Sequence, residues 1–204
     1  MDGDTLLISG IGEMDYSETE EVPWSSEQDN IKKVIIKPGV TNICSRAFQN
    51  CSGLKTIIIP NTVKSIGKDA FWGCDSLDSI SIPNSVTYIG DNVFTGCKSL
   101  KSITIPNSVT CIGNFVFCNC DSLKKVTIEV NKKKTLLICV NAFSASSIEK
   151  LIMNGETILK CVSDEFIIGF GPNTTLYVPS SLYEKYRSTY PWSEFKNVEK
   201  TMVK

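Results

Sequence analysis

LKTIIIPNTV at residues 54–63 recurs as LDSISIPNSV at 77–86 and as LKSITIPNSV at 100–109. Each copy is followed by Ile-Gly, then by Ala or Val before Phe, then by Cys. The three sets are Ile66-Gly67, Ala70-Phe71 and Cys74; Ile89-Gly90, Val93-Phe94 and Cys97; and Ile112-Gly113, Val116-Phe117 and Cys120. The leading apolar residues Ile31, Leu54, Leu77, Leu100 and Leu123 are spaced by 23, and looser units follow at Ile148 and near Asn173, each displaced by 25. A fixed period of this length marks a repeat architecture.

The pattern within one unit predicts its shape. Leu100-x-x-Ile103-x-Ile105 alternates as a short strand with one buried face does. Pro106, which has no N–H to give a ladder, ends it. Ile112, Val116, Phe117 and Cys120 then recur at roughly helical spacing, which predicts a helical or 3₁₀ turn on the far side. About eight side chains per unit point inward, and only coils stacked above and below can bury them. Adjacent strands are then expected to lie roughly 4.8 Å apart in a parallel sheet.

Outside the repeats, Thr5 to Ile8 read as a strand, and the acidic stretch from Glu13 to Glu27 keeps that open end wet. Leu176-Tyr177-Val178 reads as the last strand. Ser181 and Glu184 form a capping box that predicts a helix carrying Tyr183, Tyr186 and Tyr190, stopped by Pro191, with Trp192 and Phe195 left to pack. The expected organisation is one domain over 1–204: an N-terminal cap at 1–30, five repeats at 31–148, and degenerate repeats with a helical cap at 149–204.

Composition narrows the function. The chain has 204 residues, 21 Lys+Arg against 22 Asp+Glu, and no histidine. Lack of histidine removes Ser-His-Asp and Cys-His catalysis and every His-containing metal site. A balanced charge argues against nucleic acid as partner. No window approaches the ~20 apolar residues of a membrane span, so no membrane insertion by this segment is expected. Met1-Asp2-Gly3-Asp4 lacks the basic and apolar regions of a signal peptide; with strand pattern beginning at Thr5, a trimmed start is expected, and a cytoplasmic setting stays open.

The extended unit, Leu-x-x-Ile-x-Ile-Pro-Asn-Ser-Val-x-x-Ile-Gly-x-x-x-Phe-x-x-Cys, resembles the BspA-like leucine-rich repeats of bacterial and protist surface proteins. The flanks resemble that family's usual ends: Leu7-Ile8-Ser9-Gly10, Met14-Asp15-Tyr16 and Pro23-Trp24 in front, Leu176 to Ser180 and Trp192 to Phe195 behind. The resemblance implies an α/β-type solenoid, a right-handed superhelix with a parallel β-sheet on its concave face, short helical or 3₁₀ turns outside and a cap at each end. It also implies a cell-surface or secreted setting and adhesion to a protein or glycan of a host or neighbouring cell. Two departures stand out: the unit beginning at Leu123 carries extra residues at Asn131 to Lys134, and Ser146 follows Phe143 where Cys is expected.

The nine cysteines invite a disulfide framework. Cys51, Cys74, Cys97 and Cys120 share one repeat position, however, and so are expected as a buried ladder of thiols beside a ladder of Phe48, Phe71, Phe94 and Phe117. In-register neighbours hold their Cβ atoms wider apart than a disulfide wants, and small buried thiols pack like Ala or Val. Cys118-x-Cys120 with Cys111 lacks the second pair a zinc knuckle needs. Gly10-Ile11-Gly12 and Gly169-Phe170-Gly171 read as turns, not phosphate loops, and Lys132-Lys133-Lys134 as a solvated loop. Gly67, Gly90 and Gly113 point to a position of positive φ or close approach, although Cys44 fills the same slot in the first unit. No cofactor or metal is expected.

The variable strand positions face outward and form the candidate ligand-binding surface: Lys33, Thr56, Ser79, Ser102 and Lys125 in one row, Ile35, Ile58, Ser81, Thr104 and Thr127 in the next. Lys150 and Ile152 continue the two rows. Trp72 and Tyr88 stand on the outer side of their turns as rival anchors. The expected role is a non-enzymatic recognition module, expected to be monomeric; a structural spacer presenting another domain is the alternative. An enzyme would need clustered carboxylates, and Asp69, Asp75, Asp91 and Asp121 are expected apart, on the outer surface and in water.

Overall fold

The structure, a computed structural model, describes residues 3–16, 21–130, 136–139, 141–144, 146–159 and 170–201. Asn131 to Lys134, Cys161 and Gly169 lie outside the described residues. Strands β1 (Thr5–Ile8), β2 (Lys33–Ile36), β4 (Thr56–Ile58), β7 (Ser102–Ile105), β9 (Lys125–Val130), β11 (Lys150–Gly155), β12 (Thr175–Val178) and β13 (Asn197–Lys200) make the principal ladder. Strands β3 (Asn42–Ile43), β5 (Ser65–Ile66), β6 (Tyr88–Ile89), β8 (Cys111–Ile112) and β10 (Leu137–Ile138) make a second ladder further along each coil. Every pairing is parallel: Thr5, Lys33 and Thr56 stand in register, as do Ser102, Lys125, Lys150, Thr175 and Asn197. The chain is therefore a parallel solenoid whose core runs along its axis.

The interior is built from the positions the repeat keeps apolar. Ile31, Leu54, Leu77, Leu100 and Leu123 are buried together with the Phe, Cys and Ile of each unit. The phenylalanines stack with ring centroids 5.4, 5.5 and 5.5 Å apart from Phe48 to Phe117. The stack continues through Phe143, Phe170 and Phe195 at 5.1, 5.0 and 5.7 Å. Trp24 closes one end, 5.8 Å from Phe48, its indole N–H donating to the Ala47 carbonyl at 2.7 Å. Trp192 closes the other end, stacked on Phe195. Rings buried at this spacing contribute both area and geometry to the core.

Three expectations need correction, and one open alternative is decided. The far-side segment is not helical. In it, alternate N–H groups reach forward to the next coil: Arg46 to Lys68, Phe48 to Ala70 and Asn50 to Trp72, at 2.8, 2.8 and 2.7 Å. Residues between them bond back within their own turn, as Gln49 does to Arg46 at 3.1 Å. Left-handed backbone at Arg46, Asp69, Asn92 and Phe115, and again at Asn50, Gly73, Gly96 and Asn119, breaks any helix each time.

The principal sheet is also interrupted. It consists of a three-stranded part, β1-β2-β4, and a five-stranded part, β7-β9-β11-β12-β13. Ser79 to Ile82, where the sequence predicts the joining strand, are not in a strand. This is the one unit with serine at both outward positions. Serine fits a pleated surface poorly and competes for local hydrogen bonds; Ser79 Oγ indeed donates to the Asp78 carboxylate at 3.0 Å.

Third, the recurring Ile-Gly serves close approach and not positive φ. A Cβ on Gly67 would sit 2.6 Å from Ser45 N, one on Gly90 2.8 Å from Lys68 N, and one on Gly113 2.6 Å from Asp91 N. Each glycine rests on the backbone of the coil before it. Cys44 is tolerated because it opens the first unit, with no repeat of the same kind beneath.

Fourth, the C-terminal cap differs. Ser180–Leu182 form a 3₁₀ turn, and the helix α1 (Tyr183–Ser188) starts from Leu182 with no side-chain cap, so the Ser181–Glu184 box is not made. The helix stops at Ser188, leaving Tyr190 beyond it and exposed. The last strand is β13, not the segment at Leu176; its single inward apolar residue, Val198, is too little pattern to read. Tyr186 and Trp192 are buried and clasp Leu159, whose N–H donates to the tyrosine hydroxyl at 3.2 Å and whose carbonyl accepts from the indole at 3.1 Å.

Candidate ligand-binding face and the thiol ladder

The outward rows of the principal ladder follow from strand alternation. Lys33, Thr56, Ser102 and Lys125 line one row, and Ile35, Ile58, Thr104 and Thr127 the next, on β2, β4, β7 and β9 in register. Ser79 and Ser81 are exposed in the interrupted unit between them. The second row extends to Leu7 on β1, paired with Ile35, and at the far end to Ile152 and Tyr177. Leu7 and Ile58 are 54% and 49% exposed, so this face is apolar near β1 and hydroxylated at its middle. Sequence reading missed Leu7 because β1 precedes the 23-residue period.

The middle of the face holds a shallow depression of about 290 Å³, lined by Ile80, Ser81, Ile82, Asn84, Thr104, Pro106 and Glu129. It lies beside the interruption. Glu129 stands where earlier units carry Pro60, Pro83 and Pro106. Hydroxyls, an amide and a carboxylate over isoleucine give hydrogen-bond donors and acceptors on an apolar floor, the mixture that orients a ligand. Trp72 lies on an outer turn and Tyr88 faces outward from the second ladder, away from this depression.

The sulfur row has a different chemistry. The thiols of Cys74, Cys97 and Cys120 donate to the carbonyls of Phe48, Phe71 and Phe94 at 3.2, 3.3 and 3.1 Å. Each reaches back to the preceding coil, a role that neither Ala nor Val can fill. Burial pushes the Cys51 and Cys120 thiols up to about 12 and holds Cys74 and Cys97 well above the ordinary value. Such thiols are poor nucleophiles and poor metal ligands, since both roles need the thiolate. Ser146, at the equivalent slot, turns instead to its own Phe143 carbonyl at 2.5 Å.

The hydroxyls of the Pro-Asn-Ser/Thr-Val turn act likewise. Thr62 donates to the Val40 carbonyl at 2.7 Å and Ser85 to that of Val63 at 2.6 Å.

The carboxylates do not converge. Asp75 pairs with Lys98 at 2.9 Å, and Asp91 accepts from the Asn114 N–H at 2.7 Å. Asp69 is not in water as expected: it is buried and faces the Arg46 guanidinium at 3.8 Å, because its left-handed turn tucks it against the neighbouring coil. Among the described residues no three His, Cys, Asp or Glu lie close enough together to hold a metal, and no helix is long and apolar enough to cross a membrane.

The repeat geometry is matched by a family profile, the BspA type Leucine rich repeat region, found in six copies over residues 25–149. The chain belongs to the BspA-type leucine-rich repeat family. The profile places one more copy than the five units read from spacing. Solved leucine-rich repeat structures share the solenoid. The T. pallidum leucine-rich repeat protein is 29% identical, with a TM-score of 0.52, over 62% of this chain and 61% of that one. A leucine-rich repeat protein of Eubacterium ventriosum is 24% identical at a TM-score of 0.63, over 98% of this chain and 55% of the other. A leucine-rich cell surface protein of Faecalibacterium prausnitzii is 23% identical at 0.57, over 96% and 50%. The chain thus spans less than two thirds of each of these structures. Among curated proteins, none matches the sequence.

Proposed function

We propose that this BspA-type repeat is a non-enzymatic recognition module of a bacterial surface or secreted protein, holding a protein or glycan of a host or neighbouring cell on the outward face of its principal ladder. The depression lined by Ser81, Asn84, Thr104 and Glu129 carries this reading, because it is where the regular array opens a polar recess above apolar side chains. Scattered catalytic groups and thiols held protonated favour binding over chemistry. The surface setting is supported by the cell-surface description of the Faecalibacterium relative.

A binding screen against matrix proteins and glycans tests it, run beside a variant carrying Ser79→Lys, Ser102→Lys and Thr104→Lys. All three side chains are exposed, so melting should be unchanged. The expected outcome is a ligand whose affinity falls at least tenfold in the variant. A ligand held equally by both proteins moves the site to a cap or an outer turn; a chain that binds nothing is a spacer.

A further inference from the structure

The C-terminal cap carries a cluster that the repeat does not require. Arg187 lies over the Tyr183 ring at 5.7 Å from its centroid, and its Nη1 donates to the Tyr183 hydroxyl at 3.4 Å. Lys200, on β13, lies over the same ring at 4.9 Å. One half-buried tyrosine thus holds two cations in place from two different elements. Beside it is a recess of about 160 Å³ lined by Tyr183, Arg187, Ser193, Phe195, Lys196 and Val198.

Glu184, Glu194 and Glu199 belong to the same cap, yet no carboxylate of the described residues forms an ion pair with Arg187, Lys196 or Lys200. The lining groups Arg187 and Lys196 are donors with no acceptor capacity, and the Ser193 hydroxyl can also donate. The complementary ligand is acceptor-only and negative, and a guanidinium fork favours a planar or tetrahedral oxyanion bound through two oxygens.

The first 30 residues hold nine Asp and Glu and no Lys or Arg, so an anionic ligand is turned away from the N-terminal cap.

We propose that the recess between α1 and β13 binds an oxyanion, the sulfate ester or carboxylate of an acidic saccharide, through Arg187, Lys196 and Ser193, with Lys200 and Tyr183 holding the cluster in shape. This site is separate from the face of the principal ladder and does not depend on it.

The test is a titration of the full chain, followed by backbone NMR at constant ionic strength, with a heparin tetrasaccharide in one arm and a galacturonate tetramer in the other. Saturable shifts centred on Arg187, Ser193 and Lys196 are expected; response to both probes means either oxyanion suffices, and response to one assigns which. The double variant Arg187→Gln and Lys196→Gln should bind at least tenfold more weakly, and Lys196→Gln alone at least threefold, while Lys64→Gln with Lys68→Gln changes nothing. These side chains are all exposed, and an unchanged melting curve verifies each fold. No saturable shift with either probe, affinity of the double variant within twofold of the parent, or an equal loss in the Lys64 and Lys68 control overturns the proposal.

Discussion

The two ladders of this solenoid are made by the same repeat and behave differently. The second ladder runs unbroken from β3 to β10 although each of its strands is only two residues long. The principal ladder has strands of up to six residues and is nevertheless split beside Ser79 to Ile82. Strand length therefore does not decide continuity here. The second ladder is braced where coils touch: glycines admit the backbone of the preceding coil, and left-handed turns beside it aim their N–H groups at the following coil. The principal ladder relies on pairing plus whatever its outward side chains add. Those side chains vary from unit to unit, which weakens the sheet locally and diversifies the surface.

The contrast can be broken most forcefully through pH. Burial pushes the Cys51 and Cys120 thiols up to about 12 in the folded chain and holds those of Cys74 and Cys97 well above the 9.0 of an ordinary thiol. Folded pKa values raised in this way add stability that is complete below pH 9 and is lost as pH rises from there towards 12, because the unfolded chain releases its protons first. Each thiol should contribute a loss of roughly 1 kcal/mol per pH unit in that window. Urea melts from pH 8 to 10.5 should show the four-thiol sum, several kcal/mol at pH 10, and Cys74→Ala should make the slope shallower. A flat profile would mean that the thiols are not held protonated.

Next in size is the ring stack. Phe94→Ala should cost about 3–5 kcal/mol, the usual loss for a buried aromatic, because Phe94 is fully buried and stacked on both sides. Chemical denaturation measures it. A loss below 1 kcal/mol would show that coils are joined mainly by their backbones.

The smallest effect sharpens the comparison. Replacing Ser79 and Ser81 by threonine raises strand preference at the interruption and should stabilise the fold by up to ~1 kcal/mol. Hydrogen exchange at residues 79–82 should slow as the two parts of the sheet join. Unchanged exchange would place the cause of the break elsewhere than in the serines.

Much of this was legible beforehand. Leu54, Leu77 and Leu100, with their partners Phe71, Phe94 and Phe117, recur in one register, and a recurrent apolar position in a stacked array can only be core. The outward rows follow from alternation for the same reason. Legibility ended where the cause lies between coils. Gly67 looks like a turn residue until the backbone of Ser45 is placed against it. Trp24, Phe170 and Phe195 sit off the 23-residue period, so their membership in the ring stack shows only in space. The cap box at Ser181 is a local preference that packing of Tyr186 and Trp192 around Leu159 overrides.

The sequence by itself determined the period, the strand and core positions and the lack of histidine chemistry, since these depend on residue type at fixed spacing. Tertiary structure alone decided the hydrogen bonds of the thiols, the carboxylates held between coils and the meeting of Lys200 with Tyr183. Those outcomes depend on groups 17 to 26 residues apart being brought within a few ångströms, and only the packed coil sets that distance.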